Sequence, residues 1–183
     1  MLTINFDPFP ILTTAQLTLR RMTDDDAETV FITRSDPGLM RYIARAPAKS
    51  IDEVYPFIRN IDNLISNNES IMWALSLKSD LKFIGIICLW NIQKENHRAE
   101  IGFVLLKEHH GTGVMHEAVG AVLDYGFHTM KLHSIAGEVD PENIASIKLM
   151  EKNNFRREAL FKDHYFYNGK FMDTAIYSII NNE

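Results

Sequence analysis

The run Ile101-Gly-Phe-Val-Leu-Leu106, followed by a glycine-bearing turn and then by a helical stripe, restricts what this chain can fold into more than any other stretch. A nearly uninterrupted apolar segment of strand-forming residues reads as a strand buried on both faces, which requires a sheet covered by helices. Beyond it, Val114, Ala118, Val122, Tyr125 and Thr129 recur at helical spacing, so a helix from Gly113 to Met130 has a stripe to lay on that sheet. His110-Gly111-Thr112-Gly113 must turn the chain between the two, and glycine reaches backbone conformations closed to other residues. The first N–H groups of a helix have no intrahelical partner, and only Thr112 stands where a capping side chain would. With the positive end of the helix dipole added, those amides are suited to hold a phosphate.

Length and charge bound the rest. The 183 residues, 46% of them hydrophobic, suit one compact domain over residues 1–183, with 1–15 as an extended arm broken by Pro8 and Pro10. A formal net charge of −5 argues against a general nucleic-acid binder. The single cysteine, Cys88, lies in the apolar run FIGIICLW and reads as a small buried hydrophobe in a reducing compartment. No apolar run approaches the roughly 20 residues of a membrane span, and MLTINFDPFPILTT lacks a signal peptide's basic start. A cytoplasmic protein without nucleic-acid or membrane partners is expected.

Along the chain, Gln16 to Met22 alternates as a strand, and Thr23 with Asp24 to Asp26 opens a helix through Thr33 that Asp36-Pro37-Gly38 stops. Gly38 to Pro47 is irregular, and Ser50 to Ser66 is helical through Val54, Phe57, Ile58, Ile61 and Ile65. Met40, Tyr42, Ile43, Arg45 and Tyr55 stand in this region either as the wall that chooses a substrate or as cover for the sheet. Strands follow at Ile71 to Lys78, Leu81 to Asn91 and His97 to Leu106, then Ser134 to Val139. Asp140 to Phe155 is a helix opened by Asp140-Pro141 with Ile144, Ile147 and Met150 on its apolar side. Phe155 to Tyr167 and Phe171 to Ile180 form a hairpin about Asn168-Gly169. Hairpins followed by strand, helix and strand predict a mixed sheet with helices on its faces.

At two places the chain resembles the GNAT superfamily of acyl-CoA-dependent N-acetyltransferases, in the branch of the ribosomal-protein N-terminal acetyltransferases. The loop pattern Gln/Arg-x-x-Gly-x-Gly/Ala falls on His110 to Met115, with Gly113 as its first glycine, His110 in place of Gln or Arg, and Met115 in place of the small residue. The pattern V-x-x-x-N-x-x-S-x-x-x-x-E-K-x-G-F is matched by Val139, Asn143, Ser146, Glu151, Lys152 and Phe155, with Asn154 for the glycine. The resemblance spans Leu17 to Ile180 and implies the GNAT fold, an α+β domain with a mixed, mostly antiparallel sheet of about seven strands. It also implies acetyl-CoA as acetyl donor and direct attack by a primary amine.

On that resemblance, His110, Gly111, Thr112, Gly113, Val114 and Met115 hold the diphosphate of coenzyme A through backbone N–H groups, and Met115 would crowd it. Backbone groups of Phe103, Val104 and Leu105 run beside the pantetheine arm, and Asn143 hydrogen-bonds that arm near its sulfur. Glu100, at the start of the central strand with Gly102 and Val104 on its face, would take the amine's proton or else pair with Arg98 or His97 at a solvated strand end. An N-terminal amine, with a pKa of about 7.7 to 8.0 against about 10.4 for lysine, needs a base less. Ser146 or Tyr165, with Tyr167 less favoured, would protonate the leaving thiolate, and Lys148 and Lys152 would screen the 3′-phosphate. His109, His110 and His116 have no acidic or cysteine partner at metal-ligand spacing, and the loop lacks the Gly-Lys-Ser/Thr ending of a P-loop.

The acceptor stays open among a ribosomal or other protein N-terminus, a free amino acid, an antibiotic amine and a polyamine, with the acidic balance favouring a cation. A homodimer also stays open. The competing reading, motivated by Met115, is a non-catalytic acyl-CoA-binding module, and a protein keeping only the fold is third.

Overall fold

The computed structural model describes residues 2–181. In chain order its elements are β1 (Leu12–Thr13), β2 (Leu17–Arg20), α1 (Ala27–Ser35), α2 (Pro37–Met40), α3 (Val54–Ser66), β3 (Ile71–Leu77), β4 (Phe83–Gln93), β5 (Arg98–Leu105), α4 (Val114–Asp124), β6 (Ser134–Val139), α5 (Ile144–Lys152), β7 (Arg156–Tyr167) and β8 (Lys170–Ile180). The strands form one sheet of eight in the order β1-β2-β3-β4-β5-β6-β8-β7. Only β5 and β6 pair in parallel; the other neighbours are antiparallel. The strand beyond the expected seven comes from the N-terminal arm, where Leu12 pairs with Leu19.

Alternation along the strands splits the core between the sheet's faces. Ile71, Trp73 and Leu75 of β3, with Ile87 and Leu89 of β4, meet Val114, Ala118 and Val122 of α4 on one face. Ala74 points the other way and packs with Val30 of α1 and Val54 and Ile58 of α3. The arm belongs to the first face: Ile4 and Phe6 are buried, and Trp73 Nε1 donates to the Pro10 carbonyl over 2.8 Å.

Two helical details depart from the sequence pattern. Asp36 does end α1, and its side chain then accepts from the amides of Gly38 and Leu39, so a short helix replaces the expected irregular start of the next segment. Past Asp124 the chain widens into a π-helical turn, Tyr125–Thr129, closed by Met130 N donating to Tyr125 O over 3.0 Å. That turn advances the stripe by one residue. Met130 is therefore buried and Thr129 exposed, contrary to the helical spacing. The middle of β5 also differs: Gly102, Phe103 and Val104 are half-buried rather than covered on both faces.

The start of α1 is fixed by a buried charge. Asp26 accepts from Arg20 Nη2 at 2.7 Å and Nη1 at 2.8 Å and from the Thr23 amide at 2.9 Å. Burial alone would raise its pKa, but these donors outweigh burial and hold the carboxyl below the usual value. A carboxylate whose folded pKa is depressed stabilises the protein above its unfolded value, about 3.9, and the contribution fades as pH falls through the folded one. Asp26→Asn should therefore cost about 1–3 kcal/mol at pH 7, measured by denaturant unfolding, and the gap from the parent should close as pH drops below about 4.

Candidate active site

β5 and β6 begin side by side and then part. Their parallel pairing covers Arg98↔Ser134, Ala99↔Ile135 and Glu100↔Ala136 and stops there. Past this point β5 stays with β4 as far as Leu105↔Gly85, whereas β6 stays with β8 through Gly137↔Tyr177, Glu138↔Ile176 and Val139↔Ala175. A wedge opens between them. Met150 of α5 sits at its narrow end, with its Cε in the place a side chain on Gly137 would need and Ile101 alongside, so any larger residue there would have to displace the end of the Met150 side chain.

The open edge of β5 offers backbone groups. Leu106 N donates to Ile84 O on the β4 side over 2.9 Å, so alternation turns the amides of Phe103 and Leu105 toward the wedge. Val104 directs its carbonyl at Gly85 instead, so only its side chain remains for a ligand, which corrects the expectation that its backbone would serve. From Leu105 back to Glu100 the edge runs roughly 16 Å at about 3.3 Å per residue. An extended chain with alternating donors and acceptors would fit along it.

At the wedge's mouth lies the turn into α4. Gly111 and Gly113 have φ of 77° and 89°, in the left-handed region, and Gly113 is the N-cap residue, with no side-chain cap. Thr112 does not cap: its hydroxyl donates to His109 O at 2.7 Å. The amides from Gly111 to His116 thus find no acceptor among the described residues, and Glu117 N is the first to be paired. His110 holds the loop to the strand, with Nε2 at 2.9 Å from Leu105 O; a carbonyl only accepts, so that nitrogen carries the proton. Met115, expected to crowd a phosphate, is 6% exposed with its side chain in the core, and it presents only its amide.

Glu100 stands at the apex, in the last β5–β6 pair. It is 8% exposed and accepts from Asn91 Nδ2 at 2.7 Å. It forms no ion pair with Arg98 or His97 among the described residues, so the solvated-end alternative is not what the chain adopts. Trp90, directly across on β4, is 47% exposed. Next along the same face come Cys88 and Gly102, both half-buried. Burial pushes the Cys88 thiol up to about 12, against smaller opposing effects of a Gly102 backbone hydrogen bond and of Arg45. Such a thiol stays protonated and inert.

Helix α5 opens on Asn143 rather than on Asp140-Pro141: Asn143 Oδ1 accepts from Ser146 N at 3.2 Å, which leaves its Nδ2 for a ligand. Asp140 instead forms the preceding turn, accepting from Glu142 N at 2.8 Å. Ile144, expected on the apolar side, is exposed. Ser146 lies one helical turn before Met150, hence on the side of α5 that meets the wedge, and is half-buried. Tyr165 on β7 is half-buried too; burial first, then Asp140 and Glu138, raise the pKa of its phenol, so it stays protonated. Tyr167 is half-buried on the same strand, and Lys148 and Lys152 are exposed on α5. His109 and His116 are half-buried, and no group of three His, Cys, Asp or Glu among the described residues converges as metal ligands do. Trp90 and Asn91 escaped the sequence reading. Asn91 has a φ of 46° at an irregularity in β4, and that local twist is what aims its amide at Glu100.

A wedge between parallel strands, with free amides at its mouth and a buried carboxylate at its apex, is the arrangement of an acyl-CoA-dependent transferase. The family model described as acetyltransferase (GNAT) domain matches residues 16–156, and the chain belongs to that family. It is similar to an uncharacterized N-acetyltransferase, YoaA, of Bacillus subtilis (strain 168), 33% identical over 172 residues, 94% of this chain and 97% of the relative. Among solved structures, a spermidine N-acetyltransferase from Vibrio cholerae in complex with CoA and spermine superposes with a TM-score of 0.80 at 26% identity, over 91% of this chain and 96% of the other. The ribosomal-protein-S5-alanine acetyltransferase from Vibrio fischeri shares the fold at a TM-score of 0.84 and 23% identity, over 95% and 98%. The protein is thus an N-acetyltransferase that uses acetyl-CoA. No helix among the described residues is long and apolar enough to cross a membrane.

Two glycines test the amide loop. A Cβ on Gly113 or on Gly169 of the β7–β8 turn would meet nothing within 4 Å, yet each has a positive φ. Both Gly→Ala changes should cost about 1 kcal/mol of stability. Only Gly113→Ala should weaken coenzyme A binding, by roughly tenfold in calorimetry, because only there does backbone relaxation turn the amides away.

Proposed function

We propose that the chain transfers the acetyl group to a primary amine by direct attack in a ternary complex, with Glu100 as base. The observation that carries this reading is the coincidence of the last β5–β6 pair with a buried carboxylate, since a thioester aligned along β5 would end beside it. The amides from Gly111 to His116, including those of Thr112, Val114 and Met115, hold the diphosphate, aided by the dipole of α4. The free edge at Phe103 and Leu105 aligns the pantetheine arm, Val104 contributes its side chain, and Asn143 Nδ2 hydrogen-bonds the arm near sulfur. The amine passes its proton to Glu100 and its nitrogen bonds to the acetyl carbon, while an edge amide of β5 stabilises the oxyanion. The C–S bond then breaks. The thiolate takes a proton from Ser146, whose place on α5 one turn from Met150 favours it, and Tyr165 is the second donor within the same region.

A protein N-terminus of the ribosomal type is the acceptor favoured by the Asn143 and Ser146 pattern, and cytoplasmic acetyl-CoA together with the lone Cys88 supports a cytoplasmic location. Acetyl-CoA and a panel of peptides, amino acids and polyamines, followed by thiol release, test the reading. Glu100→Gln should lower kcat by about 10²-fold or more with coenzyme A affinity unchanged. A kcat equal to the parent's would point to a different base, and a parent that binds coenzyme A yet releases no thiol with any acceptor would favour a cofactor-binding module. Ser146→Ala should reduce kcat more than Tyr165→Phe does, and the reverse order would reassign the proton donor to the phenol.

A further inference from the structure

Gly102 leaves a gap in the face of the sheet that carries Glu100. The two alternate onto the same side of β5, and a Cβ on Gly102 would meet only two groups within 4 Å besides its chain neighbours, Cys88 Sγ at 3.2 Å and Trp90 Nε1 at 3.8 Å. Trp90 stands directly across from Glu100 on β4, and its indole leans diagonally toward Gly102 so that the N–H edge of the ring borders the gap. Opposed residues of an antiparallel pair have their Cβ atoms about 5 Å apart. The carboxylate and the indole N–H therefore line one small recess, floored by the backbone of Gly102.

A substrate amine can reach Glu100 only from this side. On the opposite face Leu89 and Ile101 are sealed in the core with α4, and Met150 of α5 lies beside Ile101. Trp90 is exposed. The two tryptophans differ in what their N–H groups do: Trp73 donates to the Pro10 carbonyl, whereas Trp90 Nε1 finds no acceptor among the described residues. Glu100 is already oriented, since one oxygen accepts from Asn91 Nδ2 at 2.7 Å, and its other oxygen has no donor among the described residues. The recess thus offers a place for a proton and, next to it, a hydrogen-bond donor without a partner.

That combination suits a particular kind of amine. Where the carbon bearing the amine also bears a carbonyl, the nitrogen can face Glu100 while the carbonyl oxygen accepts from Trp90 Nε1. A polyamine or a simple alkylamine brings no oxygen, so on its arrival the indole N–H loses water and gains no partner. We propose that Trp90 is a specificity-determining residue that reads the carbonyl next to the amine, and that the acceptor is an α-amino carbonyl compound. A peptide N-terminus, an amino acid amide and a free amino acid share that chemistry. This selectivity rests on the acetyl transfer proposed above.

Alaninamide and sec-butylamine of matching configuration test the contact, because both branch at the amine-bearing carbon and only the first has a carbonyl. Alanine, the dipeptide alanylalanine and spermidine complete the set. Thiol release is followed for the parent and for Trp90→Phe, which keeps a ring and loses the N–H, with thermal melting to verify folding. The two amines differ in basicity, but that difference is the same for both proteins and cancels when their ratios are compared. The kcat/KM of alaninamide relative to sec-butylamine should fall about fivefold or more in Trp90→Phe, through KM, with coenzyme A affinity unchanged. A purely structural Trp90 would lower both amines alike, and that result overturns the proposal, as does a parent kcat/KM for spermidine above that of every carbonyl-bearing acceptor. The best of alanine, alaninamide and the dipeptide in the parent separates a free amino acid from a peptide terminus. If coenzyme A binds and no acceptor is acetylated, the acetyl-transfer reading falls separately. Calorimetry of alaninamide and sec-butylamine on the coenzyme A complex makes the same comparison in that case, and wherever either amine is not turned over. A preference for alaninamide that is lost in Trp90→Phe upholds the contact, and equal or absent binding overturns it.

Discussion

The structure depends on a competition for β6. That strand can continue beside β5 or follow β8, and beyond Ala136 the antiparallel ladder to β8 wins. Met150 fills the space over Gly137 next to Ile101, just where the two strands part. A sheet ordinarily satisfies every interior amide with its neighbour. Here a length of β5 is left with unpaired groups in the middle of the sheet rather than at its rim, and an extended ligand can act as the missing strand.

The same parting sets the electrostatics. Free amides and the α4 dipole make the mouth electropositive, whereas Glu100 supplies the negative charge at the apex. Glu117, which follows the amide loop, is drawn off by Gln16, whose Nε2 donates to it at 2.6 Å, and so ties α4 to the β1–β2 turn. Overall charge is a poor guide to this local pattern. The chain carries a formal net charge of −5, yet the mouth of the wedge presents unpaired amides at the positive end of α4.

Several details that prepare the site are small departures from regular geometry. The left-handed Gly111 and Gly113 aim amides outward, the left-handed Asn91 aims its side chain at Glu100, and the π-helical turn after Asp124 re-phases the stripe so that Met130 seals the core. Each departure gives up some regular hydrogen bonding or backbone ease. The large cores on the two faces, with Trp73 fully buried between the arm and α4, offset that cost.

Local patterns carried much of this. Apolar periodicity and capping residues gave the longer helices, though not α2 or the π-helical turn, and nearly every strand, Ser134–Val139 to the residue, because period and turn chemistry act over a few neighbours. The glycine turn and the Asn143 and Ser146 segment identified the family for the same reason: their chemistry is written in consecutive residues. The pairing of Asn91 with Glu100, the burial of Met115 and the opening of the wedge at Glu100 all depend on register and on packing between separate segments of the chain. A strand's sequence does not say where its partner leaves it. Only the packed sheet, with α5 driven against Gly137, decided that.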